Sequence, residues 1–422
     1  MQLAIKNFVS NGLGYSAFLL SFFLLFSIKL ANISLIVFYI FCVIGYFVNK
    51  PITSPGGIRL LKFSVLLLLS SLLISVIEGT DFEFILKGLG RRIAFVLTPL
   101  AFLLLSKRSI ALVKDKALKG LLLGILVSSV FLLSNILHEY YLTRELFSIN
   151  KDLFNFYHTN FYFTRVLDIH PSYYGMFVIT GLATVYFYKG FKSYYLNAIF
   201  VILATIVLLF LNARIILFLF VILNMIYLIR YFYLKTQRIL KAFLLSMGVF
   251  FALGVLLFTI TKNTYAYQRV FSKTLWEFSR GIDTIYNSKN SEEPRMARWY
   301  AALNVIKKKP VLGYGVFKET ETLMLEYDAL NMKSSYVNRY NAHNQFLGFA
   351  IEGGFFSALA LLFFICVNLF ISIKYKDLVF FLFVLSVFSI CLVENYLVRN
   401  AGIIFTAFFA SIFLFDTSEN ER

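Results

Sequence analysis

The first residues of chemical interest stand where a polar stretch of the chain ends. His343 and Asn344 lie at the boundary between this stretch and the long apolar run 344–373. A neutral imidazole can accept a proton from a hydroxyl group, and the amides of Asn341 and Asn344 can orient the ring through hydrogen bonds. A lone histidine at such a boundary is often a simple interfacial residue. The flanking amides favour a general base at His343, with Asn344 as a further substrate contact.

Three arginines are the candidates for binding an anion. Arg214 ends the turn 212–214 between two apolar runs, and Arg295 and Arg298 open a stretch in which apolar residues recur at helical spacing. A guanidinium group pairs with phosphate oxygens through two parallel hydrogen bonds, so a diphosphate is the expected ligand. The alternatives are an arginine that extends to the membrane surface, for Arg214, and a surface ion-pair cluster with the acids at 292–293, for the other two.

Two further motifs need an interpretation. His170 precedes Pro171 at the start of an apolar run, where it is either an interfacial residue or another substrate contact. The segment Pro310–Gly315 lacks the Lys-Ser/Thr pair of a phosphate-binding loop, so we expect a structural turn. No cluster of His, Cys and Asp has the spacing of a metal site, and the three cysteines lie inside apolar runs. We therefore expect neither a metal nor a cofactor.

The composition places these residues in a membrane protein. Of the 422 residues, 59% are hydrophobic and only 15% are charged. No soluble core needs so large an apolar fraction, and apolar runs near the ~20 residues that span a bilayer recur along the chain. In a soluble protein the net charge of +18 would indicate nucleic acid. Here it marks cytoplasmic loops, so the expected partner is a lipid bilayer and no nucleic acid.

The hydropathy predicts an all-α membrane bundle of about twelve transmembrane helices. We place them at 13–28, 31–48, 60–77, 90–106, 117–137, 171–188, 194–211, 215–233, 240–260, 344–373, 377–395 and 399–415. The chain then has three parts: helices one to nine in 1–260, a large polar loop in 261–343, and helices ten to twelve with a short tail in 344–422. Inside the loop we expect short helices at 294–309 and 319–330.

The distribution of Lys and Arg predicts the orientation. With a cytoplasmic N-terminus, the cytoplasmic segments carry 18 of these residues, the short outer loops carry nine, and the loop 261–343 carries 13. The positive-inside bias holds for short loops, and long loops escape it. Both termini are therefore expected in the cytoplasm, with the large loop and His343 on the outer face.

The candidate residues belong to a pattern that resembles the O-antigen ligase and O-antigen polymerase superfamily, polytopic glycosyltransferases of the bacterial inner membrane. The matching motifs are Asn212-Ala213-Arg214, Arg295 with Trp299, Pro310-x-x-Gly313-x-Gly315, His343-Asn344-x-Phe346-Leu347, Glu352-x-Gly354 and Glu394-Asn395. Ala213 replaces the usual Ser, and Phe346 stands in a position that favours Tyr. The motifs cover roughly residues 170–415, and the first 160 residues match only in hydropathy.

The resemblance implies a fold like that of other polyprenyl-dependent membrane glycosyltransferases, which is called glycosyltransferase-C-like. It implies a donor glycan on undecaprenyl diphosphate and an inverting reaction that needs no nucleotide and no metal. Carried over to this chain, it implies that Arg214 and Arg295 bind the diphosphate and that His343 activates the acceptor hydroxyl in the periplasm. The side-chain chemistry of Arg214, Arg295 and His343, and their positions at the ends of apolar or helical segments, had already indicated these three residues.

Three functions fit these residues. A ligase would transfer the glycan to a lipid A–core acceptor. A polymerase would join it to a second lipid-linked glycan, building O-antigen, capsule or exopolysaccharide. A flippase would move the lipid-linked glycan without chemistry. The notable charges gather at the outer face instead of along a membrane path, which favours an enzyme. The motif order and the single large outer loop favour the ligase, although the motifs themselves do not separate it from the polymerase.

Overall fold

The computed structural model describes residues 2–48, 55–146, 153–262, 265–272, 274–275, 277 and 293–417. In this part of the chain every regular element is a helix. The all-α fold class predicted from the hydropathy is therefore confirmed. The acid at 292, expected in an ion-pair cluster with Arg295 and Arg298, lies outside the described residues.

The helices follow one another along nearly the whole described chain. The first nine α-helices are α1 (Gln2–Phe23), α2 (Ile28–Val48), α3 (Pro55–Ile77), α4 (Phe82–Arg92), α5 (Ala94–Leu103), α6 (Lys107–Leu146), α7 (Phe161–Thr164), α8 (Pro171–Phe187) and α9 (Tyr194–Leu211). The others are α10 (Arg214–Thr236), α11 (Ile239–Thr261), α12 (Tyr265–Tyr267), α13 (Arg295–Lys308), α14 (Glu319–Ala329), α15 (Lys333–Val337), α16 (Gln345–Lys374), α17 (Leu378–Cys391) and α18 (Asn400–Thr417). The two short helices predicted inside the loop correspond to α13 and α14.

Eight of the described helices are long and apolar enough to cross a membrane: α2, α3, α6, α9, α10, α11, α16 and α18. Two shorter apolar helices, α5 and α17, accompany them. This is a polytopic helical membrane protein. Each of the twelve predicted spans overlaps a described helix.

The predicted fourth span differs most from the structure. Instead of one helix over 90–106, the chain forms α4 and α5, which are separated at Ile93. The helix α4 places only Gly88 and Arg92 in the interior, while Phe82 is 72% exposed. Since Arg91 and Arg92 end α4, the apolar helix begins after them and is only 10 residues long.

The chain folds as two compact units. The first unit comprises residues 1–120 and 276–422, and the second comprises 121–275. In the first unit α3 packs against α16 and α5 against α18, whereas in the second unit α10 packs against α8 and α11. The three-part division drawn from the sequence stays a prediction.

The long helix α16 is broken by a turn from the preceding loop. Gly353 and Gly354 have non-helical backbone angles, with φ of −130° and 64°. The amide of Tyr314 donates to the carbonyl of Ile351 at 2.8 Å, and the amide of Phe355 donates to the carbonyl of Pro310 at 2.9 Å. In an unbroken helix, the Phe355 amide and the Ile351 carbonyl would bond to each other. The turn therefore replaces the hydrogen bonds that the break removes.

Gly354 is required by this close approach. A Cβ atom there would lie 2.0 Å from the carbonyl oxygen of Val311. Gly313, with φ of 70°, faces the break from the other side, and its Cβ would lie 2.6 Å from the Gly354 nitrogen. The prediction that Pro310–Gly315 is a structural turn is confirmed, and the turn fixes the position of the first two turns of α16.

Candidate active site

His343 lies in the turn that leads into α16, in the first unit. Its φ of 47° is left-handed, and its amide donates to Oδ1 of Asn341 at 3.0 Å. The next residue, Asn344, caps α16, because its Oδ1 accepts hydrogen bonds from the amides of Phe346 and Leu347. The Asn344 amide group also donates to the carbonyl of Leu392 at 3.1 Å. The structure therefore uses Asn344 to orient the turn that carries His343.

Glu394 joins His343 to Arg295. The imidazole Nδ1 lies 3.1 Å from Oε2 of Glu394, and the guanidinium Nη2 of Arg295 lies 3.1 Å from Oε1 of the same carboxylate. A carboxylate accepts hydrogen bonds, so the proton of a neutral His343 belongs on Nδ1. The lone pair is then on Nε2, the atom that can take a proton from a substrate.

Arg295 contacts a second carboxylate. Its Nε lies 3.8 Å from Oε2 of Glu277. The side chains of Arg295 and His343 are each 24% exposed, and that of Glu394 is 15% exposed. A ligand can therefore reach the guanidinium and the imidazole, while the carboxylate between them is more deeply placed.

Glu319 and Asn395 hold both ends of the His343 turn. The buried carboxylate of Glu319 accepts from the Ala342 amide at 3.0 Å and from Nδ2 of Asn395. Oδ1 of Asn395 in turn accepts from the Asn344 amide at 2.9 Å. Burial raises the pKa of Glu319 to about 7, the charge of Glu352 adds to this, and the hydrogen bonds and Arg92 oppose it. Glu319 thus holds Ala342 directly and Asn344 through Asn395.

A buried ion pair fixes the turn at the break in α16. Glu352 and Arg92, each 4% exposed, form a salt bridge, and Glu352 also accepts from the Phe317 amide at 3.0 Å. The Arg92 guanidinium lies 4.8 Å from the ring centroid of Phe349. This pair links α4, α16 and the turn before α14.

Arg298 is buried beside the ring next to His343. Its guanidinium lies 5.0 Å from the Tyr340 ring centroid, and the Tyr340 and His343 rings are 5.8 Å apart. The side-chain Nε of Arg298 is buried without a hydrogen-bond partner among the described residues. Burial, with the charge of Arg295 nearby, lowers the pKa of Arg298. Arg298 packs against the ring of Tyr340. The contact of Arg298 with substrate stays a prediction.

Arg214 lies in the second unit, at the start of α10. Asn212 has a left-handed φ of 44°, and Asn160 holds the turn through its bonds to the carbonyls of Phe210 and Leu211. The Arg214 Nη1 donates to Oγ1 of Thr274 at 3.1 Å. The short turn therefore fixes the backbone of this arginine, as its position between two helices had indicated.

His170, also in the second unit, caps α8. Its Nδ1 accepts from the amide of Ser172 at 3.3 Å, and its ring lies 5.8 Å from that of Tyr173. Pro171 occupies the first position of the helix, where the missing amide proton costs nothing. The structure gives His170 a capping role, and its contact with substrate stays a prediction.

Sequence reasoning missed the partners of the site residues. Glu394 was noted only as part of a family motif, and neither Glu319 nor Arg92 was singled out. One signal was available, because acids and arginines inside or beside apolar runs usually have a partner. Among the described residues, no group of three or more His, Cys, Asp or Glu could hold a metal ion.

The fold and the site define a polytopic helical membrane protein with an imidazole, a carboxylate and a guanidinium in one cluster. Residues 199–362 match the family model described as O-antigen ligase. This match supports the resemblance to the O-antigen ligase and polymerase superfamily that the sequence motifs indicated. The match includes Arg214, Arg295 and His343 and ends before Glu394. No curated protein matches the chain.

Proposed function

We propose that the chain is an O-antigen ligase-type glycosyltransferase. It transfers a glycan from undecaprenyl diphosphate to a hydroxyl group of a lipid A–core acceptor, with inversion and without a metal. The observation that carries this proposal is the Glu394 bridge, which joins a proton acceptor, His343, to a cation, Arg295. A transfer from a diphosphate needs both groups near the same anomeric carbon.

The proposed reaction is a single displacement. The acceptor oxygen attacks the anomeric carbon as the bond from this carbon to the diphosphate oxygen breaks. The acceptor proton passes to Nε2 of His343, and Glu394 stabilises the resulting imidazolium through Nδ1. An ordinary imidazole is a modest base for an alcohol, so the proton moves together with the attack. One displacement inverts the configuration of the anomeric carbon.

Arg295 stabilises the leaving group. The diphosphate gains negative charge as the glycosidic bond breaks, and a guanidinium can pair with two of its oxygens. Arg295 is on a regular helix, α13, so its backbone is fixed. For Arg214, in the second unit, the same role rests on the sequence motif alone.

The proposed location is the bacterial inner membrane, with both termini in the cytoplasm and His343 facing the periplasm. The excess of Lys and Arg in the short loops of one side supports this orientation. Lipid-linked glycans and lipid A–core then meet the site at the outer surface of the membrane. The cluster of His343, Glu394 and Arg295 favours chemistry over a flippase.

The polymerase is the second candidate, because the superfamily includes both reactions and the same residues serve both. The test offers the purified chain a glycan on undecaprenyl diphosphate with and without lipid A–core. A ligase attaches the glycan to lipid A–core and leaves the lipid-linked glycan unextended when the acceptor is missing. Chain growth without lipid A–core would contradict the ligase and support the polymerase.

A further inference from the structure

Two carboxylates neutralise Arg295 in the structure. Oε1 of Glu394 lies 3.1 Å from Nη2, and Oε2 of Glu277 lies 3.8 Å from Nε. A guanidinium presents its donors in a fixed planar fork, and carboxylates and phosphates use the same donors. Glu394 and Glu277 contact the Nη2 and Nε side of this fork. A diphosphate that pairs with the same side of Arg295 through two oxygens would take over the donors that the two carboxylates contact.

The carboxylate that would be displaced is also the partner of the general base. Glu394 contacts Arg295 with Oε1 and His343 with Oε2. A carboxylate shared between two donors gives part of its charge to each. When one donor leaves, the other hydrogen bond becomes stronger, since charged groups in a partly buried site interact across a reduced dielectric. Release of Oε1 from Arg295 would thus increase the electrostatic stabilisation that Glu394 gives to a protonated His343.

We propose that Glu394 is a positioning residue that couples donor binding to acceptor activation. The diphosphate of the donor replaces Glu394 on Arg295, and Glu394 then no longer divides its charge between Arg295 and His343. This inference rests on the proposed function and adds an order to it. The hydrogen bond from Nδ1 of His343 to Glu394 reaches its full strength only once the diphosphate of the donor is bound. When the lipid diphosphate leaves, Glu394 pairs with Arg295 again.

The coupling predicts opposite effects of one substitution on two measurements. Glu394→Gln keeps an oxygen that can accept from Nδ1 of His343 but removes the charge that competes for Arg295. Undecaprenyl diphosphate should bind the purified variant in lipid nanodiscs about fivefold to tenfold more tightly than wild type. Glycan transfer at saturating donor should fall by about tenfold or more, because the imidazolium loses its counter-charge.

A second substitution and a control complete the experiment. Glu277→Gln also removes a charge that competes for Arg295, so it should tighten the binding of undecaprenyl diphosphate as well. This second variant keeps the proposal testable if Glu394→Gln fails to fold. Glu321→Gln removes a carboxylate of the same loop that pairs with Lys318 and is 64% exposed. This control should change neither binding nor transfer. A merely structural Glu394 would weaken both when replaced.

The outcomes separate the two proposals. The coupling is wrong if wild type binds undecaprenyl diphosphate and Glu394→Gln and Glu277→Gln bind it no more tightly. It is also wrong if Glu394→Gln tightens binding and transfers glycan at the wild-type rate. The proposed function itself fails if Arg295→Ala binds the diphosphate as wild type does. Tighter binding together with slower transfer in Glu394→Gln supports the coupling.

Discussion

Glu319 is a carboxylic acid buried next to the turn that carries His343. Its oxygens accept from the Ala342 amide and from Asn395, and the charged groups that face it are Glu352 and Arg92. Burial favours the neutral acid, so the folded protein holds this proton up to a pH of about 7. The unfolded chain releases it near the ordinary value of a glutamate.

This difference predicts a fall in stability as the pH rises. Because the folded-state pKa is the higher one, the contribution of Glu319 is fully present below pH ~4.5 and is lost through pH ~7. The loss is on the order of 3 kcal/mol for a shift of this size. Glu319→Gln cannot ionise, so its unfolding temperature should fall less than that of wild type between pH 5 and pH 8. Parallel pH profiles of wild type and variant would contradict this account.

The sequence indicated the candidate site residues more readily than the partners of these residues. His343 and Arg295 were recognisable because an imidazole and a guanidinium stood at the edges of apolar or helical segments. Their common partner Glu394 is 51 residues from His343 and 99 from Arg295. Such contacts depend on how α13, α16 and α17 pack, and no local pattern carries that information. Asn344 caps α16 through its Oδ1, and its contact with substrate stays a prediction.

At the scale of elements, the exchange of hydrogen bonds between the turn 310–315 and the break in α16 positions the site. The amides of Tyr314 and Gly315 satisfy the carbonyls of Ile351 and Glu352. The hydropathy predicted one continuous helix over 344–373, since apolar spacing does not report a break of two residues. The paired glycine motifs contained the signal, because glycine permits both a left-handed φ and the close approach of two backbones.

Gly354→Ala should therefore disrupt the packing of the turn 310–315 on the break in α16, and with it the position of the site. The new methyl group would meet the Val311 oxygen at 2.0 Å, in a backbone conformation with φ of 64°. We expect a loss of at least about 2 kcal/mol in unfolding free energy. The measurement is the unfolding temperature of the purified protein, with glycan transfer assayed in parallel.

Gly248→Ala is the matched control for this substitution. Gly248 lies inside α11, and a Cβ there has no atom within 4 Å. Alanine is the better helix former, so this change should be neutral or stabilising by up to about 1 kcal/mol. Equal unfolding temperatures for the two alanine variants would show that the contact with Val311 does not hold the turn.

At the scale of the whole molecule, hydropathy predicted the architecture well and the fourth span poorly. A bilayer requires long apolar helices, and these are visible in a single sequence. The division at Ile93 was harder to foresee, because the α4 helix ends at a buried Arg92 whose partner Glu352 is 260 residues away. The family match covers 199–362, so the helices before it were predicted from physical pattern alone.

The most direct test of the central claim is glycan transfer by alanine variants of Arg214, Arg295 and His343. The purified protein receives a glycan on undecaprenyl diphosphate together with lipid A–core, and the attached product is measured. We predict that His343→Ala slows transfer by about a hundredfold or more. Arg295→Ala and Arg214→Ala should also weaken the binding of the donor. If all three variants fold normally and keep the wild-type rate, the proposed active site is wrong.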